Sequence, residues 1–201
     1  HKECKNYIKE QSKKNPLWQQ GRWVYYPWIS TLVHILEEDD FFEVRTSRNK
    51  NLITKKEQEK FYNAVVGIAG LSVGNSIVLA IVLQGGAKNI RIADYDTLAL
   101  SNLNRINAGV HYLGVSKVDM TARQIYLLNP YAKVEILKEG VNKKNIKKFF
   151  KGLNVVIDEI DNLAIKYLMR QQAKKNKIPV LMGADNGDSA VVDVERYDTG
   201  E

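Results

Sequence analysis

Three clusters of residues in this 201-residue chain carry groups that could do chemistry. The first is Gly67-Ile68-Ala69-Gly70-Leu71-Ser72-Val73-Gly74. Backbone amides at a turn entering a helix offer donors and partial positive charge to a phosphate. Glycine lets the backbone come close to that ligand. The second cluster opens with Asp94-Tyr95-Asp96, where Asp94 lies 20 residues beyond Gly74. At that spacing a carboxylate accepts from ribose hydroxyls. It runs on through Ser101-Asn102-Leu103-Asn104-Arg105 to Lys117, twelve residues further. Arg105 can fork two donors onto phosphate oxygens, Asn102 can give another an amide proton, and Lys117 can serve as a second phosphate cation. The third cluster is Asp158-Glu159-Ile160-Asp161-Asn162. Its carboxylates can hold a Mg²⁺ that bridges phosphates.

Each cluster also has a structural explanation. The glycines do not follow G-x-G-x-x-G, because Ala69 stands in the middle position, and a tight turn packed on a neighbouring helix uses the same residues. Arg105 and Lys117 taken singly read as surface charges. Asp161 can cap a helix starting at Asn162. Context separates the readings. A hydride-transfer domain has no use for an Asn/Arg cluster directly after the ribose carboxylate, and an enzyme handling a triphosphate has.

Groups so far apart in sequence need a sheet to bring them together. Apolar, β-branched runs at 64–68, 89–93, 133–137, 154–158 and 178–183 read as strands, with a last strand over 189–197 of unassigned partner. Helices are expected at 71–84, 114–128, 142–150 and 162–177, the second stopped by Asn129-Pro130. Continuous apolar strands separated by helices predict an α/β fold, a doubly wound Rossmann-like and mostly parallel sheet with helices on both faces. Residues 1–60 read as a mainly helical extension, with helices at 2–14 and 27–36. An acidic run at 37–40 marks a loop or helix end, and Thr54 with Glu57 forms a capping box opening a short helix. The expected domains are 1–60 and 61–201.

Composition excludes several classes. The 44% hydrophobic and 26% charged content is that of a globular protein. The single cysteine, Cys4, allows neither an internal disulfide nor a thiolate zinc centre. The longest apolar run, 77–83, is about a third of a membrane span, so no membrane partner and a cytoplasmic location are expected. The net charge of +7 includes Lys143, Lys144, Lys147, Lys148 and Lys151, spaced as a solvated helix face. Without aromatic interleaving it predicts no nucleic-acid partner. The chain starts at His1 and ends just after a strand-like run, as a fragment would.

In this order the clusters resemble the adenylating family of ThiF, MoeB and the ubiquitin-activating enzymes, over about 45–197. The stretch from Ser101 to Arg105 is the specific marker. A narrower likeness rests on Tyr25-Tyr26-Pro27-Trp28, Gly70 to Gly74, and Asp193-Val194-Glu195-Arg196-Tyr197. It is to bacterial domains fused to a C-terminal nitroreductase-like domain, which implies a further domain beyond residue 201.

The resemblance implies an ATP- and Mg²⁺-dependent adenylyltransferase, working as a homodimer. Its substrate would be a carboxylate, usually the C-terminus of a ubiquitin-like or sulfur-carrier protein, converted to an acyl-adenylate. It implies that Gly67, Gly70, Leu71 and Gly74 form the nucleotide turn and that Asp94, with Asp96 beside it, holds the ribose. Asn102, Arg105 and Lys117 would hold phosphates, and Asp161 would organise Mg²⁺ and the α-phosphate. Arg45-Thr46-Ser47-Arg48 matches an R-x-x-R stretch from which an arginine reaches into the partner subunit's site, here Arg48, with Arg45 the second candidate. Departures are Ala69, Ile106 in place of a common glutamine, and the absence of any cysteine after the adenylation residues. The alternative is a non-catalytic domain binding ATP or NAD/FAD and regulating a larger nitroreductase-like redox protein.

Overall fold

The computed structural model describes residues 2–199. It divides into two compact units, His1–Leu52 and Ile53–Glu201. The first holds α1 (Lys2–Lys14), β1 (Arg22–Tyr26), β2 (Thr31–Ile35) and α2 (Glu38–Arg45). The helix expected over 27–36 is not there. Only Pro27–Ile29 form a single 3-10 turn, and Ser30, at φ 49°, sends the chain back as an antiparallel hairpin. Across it Trp23 stacks on its register partner His34, with ring centroids 4.5 Å apart, the kind of cross-strand pair that stabilises a two-stranded ribbon. The extension is therefore helices plus a hairpin. The acidic run opens α2, placing Glu38, Asp39 and Asp40 in its first turn, where carboxylates suit the helix dipole.

The division falls at 52/53 rather than 60/61 because α3 (Lys55–Asn63) packs into the second unit. Thr54 caps it with the expected box, bonded reciprocally with Glu57. Gln58 is buried and donates to the Gly85 carbonyl at 3.0 Å. The Ala87 and Lys88 amides donate to the Phe61 and Tyr62 carbonyls.

The second unit continues with β3 (Val65–Ala69), α4 (Val73–Leu83), β4 (Asn89–Ala93), α5 (Lys117–Leu128) and β5 (Lys133–Leu137). Then follow α6 (Ile146–Phe150), β6 (Val155–Asp158), α7 (Leu163–Asn176), β7 (Val180–Asn186) and β8 (Ser189–Glu195). The sheet order is β5-β4-β3-β6-β7-β8, parallel except for β8, which pairs antiparallel with β7. One face is a core of Val66, Ile68 and Ile92 against Val78 and Val82 of α4 and Val118 and Ile125 of α5. The other packs Ala69, Leu137 and Val156 against Phe149 and Phe150 of α6 and Met169 of α7.

Helix starts fall later than the sequence indicates, each for a local reason. Gly114 is left-handed at φ 79° and Ser116 bridges Thr97, so α5 begins only at Lys117. The Asn142 side chain accepts the Lys144 and Asn145 amides in a turn, which delays α6 to Ile146. Lys143 and Lys144 therefore precede the helix, and the five lysines do not share one helical face. Among the described residues, no helix is long and apolar enough to cross a membrane.

Candidate nucleotide site

The strand order reverses between β3 and β6, so the chain leaves these neighbours towards opposite faces of the sheet. Such a switch point opens a crevice beyond the carboxyl ends of the strands, where ligands bind. Gly70 follows β3 directly at φ 87°, and a Cβ there would lie 2.3 Å from the Glu159 carbonyl oxygen. Glycine is thus required for the two strand ends to meet. Gly67 and Gly74 answer to packing instead: a Cβ on them would strike Leu153 at 2.4 Å and Ile68 at 2.8 Å. Ala69 is fully buried in the core beneath α6 and α7. Its methyl group belongs to that core, so this departure from the glycine pattern is a packing choice.

On the β4 side the groups converge. Asp94 is buried and accepts from the Leu71 amide at 2.6 Å and the Asp96 amide at 2.8 Å. One carboxylate therefore fixes both the glycine turn and the turn after β4. Lys117 is only 4% exposed. Its Nζ donates to Asp96 Oδ2 at 2.8 Å and to Ser72 Oγ at 3.4 Å, while its amide donates to the Asp96 carbonyl. A buried ammonium is thus held beside the first turn of α4, whose amides lack helical acceptors.

Asn102 closes a short 3-10 turn (Leu100–Asn102), and its Oδ1 accepts the Ala99 amide at 2.9 Å. Arg105 is exposed, with Nη1 on the Ser101 carbonyl at 3.3 Å and Asn104 Oδ1 at 3.0 Å. The next residue, Ile106, is buried with Leu98, Tyr112 and Met120; an apolar anchor stands where the resembled family commonly has glutamine.

The β6 side is built differently. Asp158, wholly buried, is bound by Arg170 Nη1, lies 3.7 Å from Lys166 Nζ, and accepts the Ile160 amide at 3.1 Å. Arg170 also donates to Glu195 at 2.6 Å, and Tyr197 donates to the same carboxylate. Burial alone would lower the Arg170 pKa, but Asp158 and Glu195 outweigh it and the pKa is raised. Burial, helped by the Glu195 carboxylate, pushes the Tyr197 hydroxyl up to about 12. Glu159 is half-buried, accepts the Gly183 amide at 2.8 Å, and is raised above the usual carboxylate range, mainly by burial. Asp161 is exposed. It is not the cap of α7, since Asn162 accepts the Ile165 amide in that role. Among the described residues, no group of three or more His, Cys, Asp or Glu could hold a metal ion.

The sheet edge therefore gathers Gly67, Gly70, Leu71, Gly74, Asp94, Asp96 and Lys117 around one turn, with Asn102 and Arg105 on the loop that follows β4 and Asp161 after β6. Arg48 lies in the other unit, in the exposed 3-10 turn Ser47–Asn51, and Arg45 there sits 5.8 Å from the Phe41 ring centroid. Lys166 and Arg170, both on α7, escape the sequence reading, and Ser72 enters it only as a member of the glycine turn. A serine or a charged residue on a helix carries no local signal of what the sheet will set beside it.

The sheet and its switch-point crevice define a Rossmann-type domain with a glycine turn, a buried Asp94 and a buried Lys117 at the strand ends. Over residues 46–198 the chain matches the ThiF family, and it belongs to that family. It is 42% identical over 177 residues to an uncharacterized protein of Mycobacterium tuberculosis, covering 88% of this chain and 24% of that protein. It is 27% identical over 122 residues to the molybdopterin-synthase adenylyltransferase of Haemophilus influenzae, covering 60% of this chain and 49% of the enzyme. Among solved structures, the tRNA N6-threonylcarbamoyladenosine dehydratase of Escherichia coli in complex with ATP superposes with a TM-score of 0.70. That match has 25% identity and covers 77% of this chain and 65% of the other. The chain thus spans about a quarter of the mycobacterial relative and about half of the adenylyltransferase.

Proposed function

We propose that this domain binds ATP in the crevice between β3 and β6 and adenylates a carboxylate. The observation that carries the reading is Lys117, a buried ammonium fixed by Asp96 and Ser72 beside the glycine turn. Its similarity to an adenylyltransferase and to an ATP-bound dehydratase supports the choice of nucleotide.

In this reading Asp94, ordered by two backbone amides, uses its remaining lone pairs to accept from the ribose hydroxyls. The first-turn amides of α4, Lys117, Asn102 and Arg105 hold the phosphates. The substrate carboxylate attacks the α-phosphorus; a new oxygen–phosphorus bond forms and the bond to the pyrophosphate bridging oxygen breaks. The electron pair leaves on pyrophosphate, where the Lys117 and Arg105 cations stabilise it. Asp161 fits Mg²⁺: it is exposed, while Asp158 is taken by two cations and Glu159 by Gly183. One carboxylate plus phosphate oxygens is an ordinary set for this ion, which when bound neutralises phosphate charge. Arg48 of a second copy in a homodimer completes the charge neutralisation. We assign as substrate the C-terminus of a ubiquitin-like or sulfur-carrier protein.

Isotope exchange tests the proposal. Label should pass from pyrophosphate into ATP only when such a carboxylate tail is supplied. If ATP binds but no tail supports exchange, the domain is a nucleotide-binding regulator instead.

A further inference from the structure

The loop carrying Arg105 is held by a side chain of α5 that is not among the residues proposed to hold the nucleotide. Gln124, on α5, donates from Nε2 to the Asn107 carbonyl at 2.7 Å. Its Oε1 accepts from Asn75 Nδ2 at 2.8 Å, and the same Asn75 nitrogen donates to Thr121 Oγ1 at 2.9 Å. Asn75 is the third residue of α4, immediately after Gly74, and is fully buried, as is Thr121.

The direction of this chain of bonds is fixed by its far end. A carbonyl can only accept, so Gln124 must present its NH₂ to Asn107 and its oxygen to Asn75. Asn75 must then give its NH₂, which leaves its Oδ1 buried with no hydrogen-bond partner among the described residues. A contact serving only to pack α4 on α5 would do better with two apolar side chains, since replacing both partners of a buried hydrogen bond is nearly neutral while an orphaned acceptor is costly. The arrangement is explained if its purpose is the loop. Ile106 anchors that loop by burial with Met120 of α5, and Gln124, one turn further along the same helix, anchors it by its hydrogen bond.

We propose that Gln124 is a positioning residue that, through Asn75, locks the Arg105 loop to the helix that follows the glycine turn. The proposal rests on the reading of Arg105 as a phosphate ligand. Both walls of the phosphate site, the first turn of α4 and the loop 104–108, then move as one body.

Two variants separate this role from ordinary packing. Gln124→Leu removes both bonds. Gln124→Glu keeps the acceptor for Asn75 but, when ionised, cannot donate to Asn107; protonation restores the donor. Amide hydrogen exchange on the free protein should show faster exchange at 104–108 in Gln124→Leu, with the middle of α4 and α5 unchanged. ATP affinity should fall roughly 10- to 100-fold, the worth of a charge-assisted hydrogen bond, while adenosine affinity stays the same. Gln124→Glu should show the same ATP loss at neutral pH and recover as pH is lowered. Added to Arg105→Ala, Gln124→Leu should bring no further loss of ATP affinity, because coupled residues are not additive. Unchanged exchange at 104–108, or losses that add in full, would overturn the proposal. If Arg105→Ala alone leaves ATP binding intact, the phosphate reading of Arg105 fails, and the exchange result still decides whether Gln124 holds the loop.

Discussion

Asp94 and Asp158 follow or end strands that flank β3 in the same sheet, both are buried, and the fold treats them in opposite ways. Asp94 accepts only backbone amides, from Leu71 and Asp96. No cation is bound to it among the described residues, so its charge shapes the turn, and in the proposed reading it also accepts from a ligand's hydroxyls. Asp158 is bound by Arg170, with Lys166 close by, and extends through Arg170 to Glu195 on β8. It is a post that ties β6, α7 and β8 together. A carboxylate at the end of a parallel strand therefore identifies neither a ribose ligand nor a metal ligand until its partners are known. The neighbouring cations follow the same division. Lys117 is paired with Asp96, whose side chain is half exposed, whereas Arg170 is paired with an aspartate that water does not reach.

The largest effect that could break this contrast is on stability. Arg170→Met strands the buried Asp158 charge and should cost about 3–5 kcal/mol, towards the lower figure because Lys166 remains nearby; chemical denaturation measures it. Lys117→Met leaves an aspartate that solvent already reaches, so its stability cost should be below about 1 kcal/mol. Its ATP affinity, read by calorimetry, should nonetheless drop roughly 10- to 100-fold. Equal stability losses in the two variants would erase the distinction between the two sides. Asp94→Asn keeps one acceptor but loses the charge that holds the turn, and should weaken ATP binding by about tenfold; an unchanged affinity would remove Asp94 from the site.

The smallest effect is alkaline. Tyr197 ionises near 10 when unfolded and at about 12 when folded, so the folded state holds its proton longer. Its contribution is complete below pH 10 and is lost as pH rises from 10 to about 12. Tyr197→Phe should flatten the fall in Tm over that window, and a fall of undiminished slope would detach Tyr197 from the Asp158 side.

Much of the sheet was legible because its signals are local. Strands β4 and β5 are apolar runs with turn residues at their ends, α1 is a continuous polar helix, and Thr54 with Glu57 announces α3 within four residues. The hairpin β1–β2 was not legible: a 3-10 turn starting at Pro27 replaces the usual Asn-Gly signal, and Trp23, Tyr25, Leu32 and Val33 put apolar side chains on both faces, hiding the alternation. In the site, sequence pointed to Asp94, Arg105 and Lys117 by residue type and spacing. It could not show that Asp96 serves Lys117, that Asp158 is consumed by Arg170, or that Gln124 reaches the Arg105 loop. Those relations depend on which strands are neighbours and on the placing of α5 and α7 against them.

The most direct measurement is a calorimetric titration of ATP with Mg²⁺, and separately of NAD(H), into the wild-type chain and into Lys117→Met. The expected result is saturable ATP binding to the wild type, its severe weakening in Lys117→Met without loss of fold, and no comparable binding of NAD(H). Selective NAD(H) binding, or ATP binding that Lys117→Met leaves untouched, would contradict a triphosphate site built around Lys117 at the β3–β6 switch point.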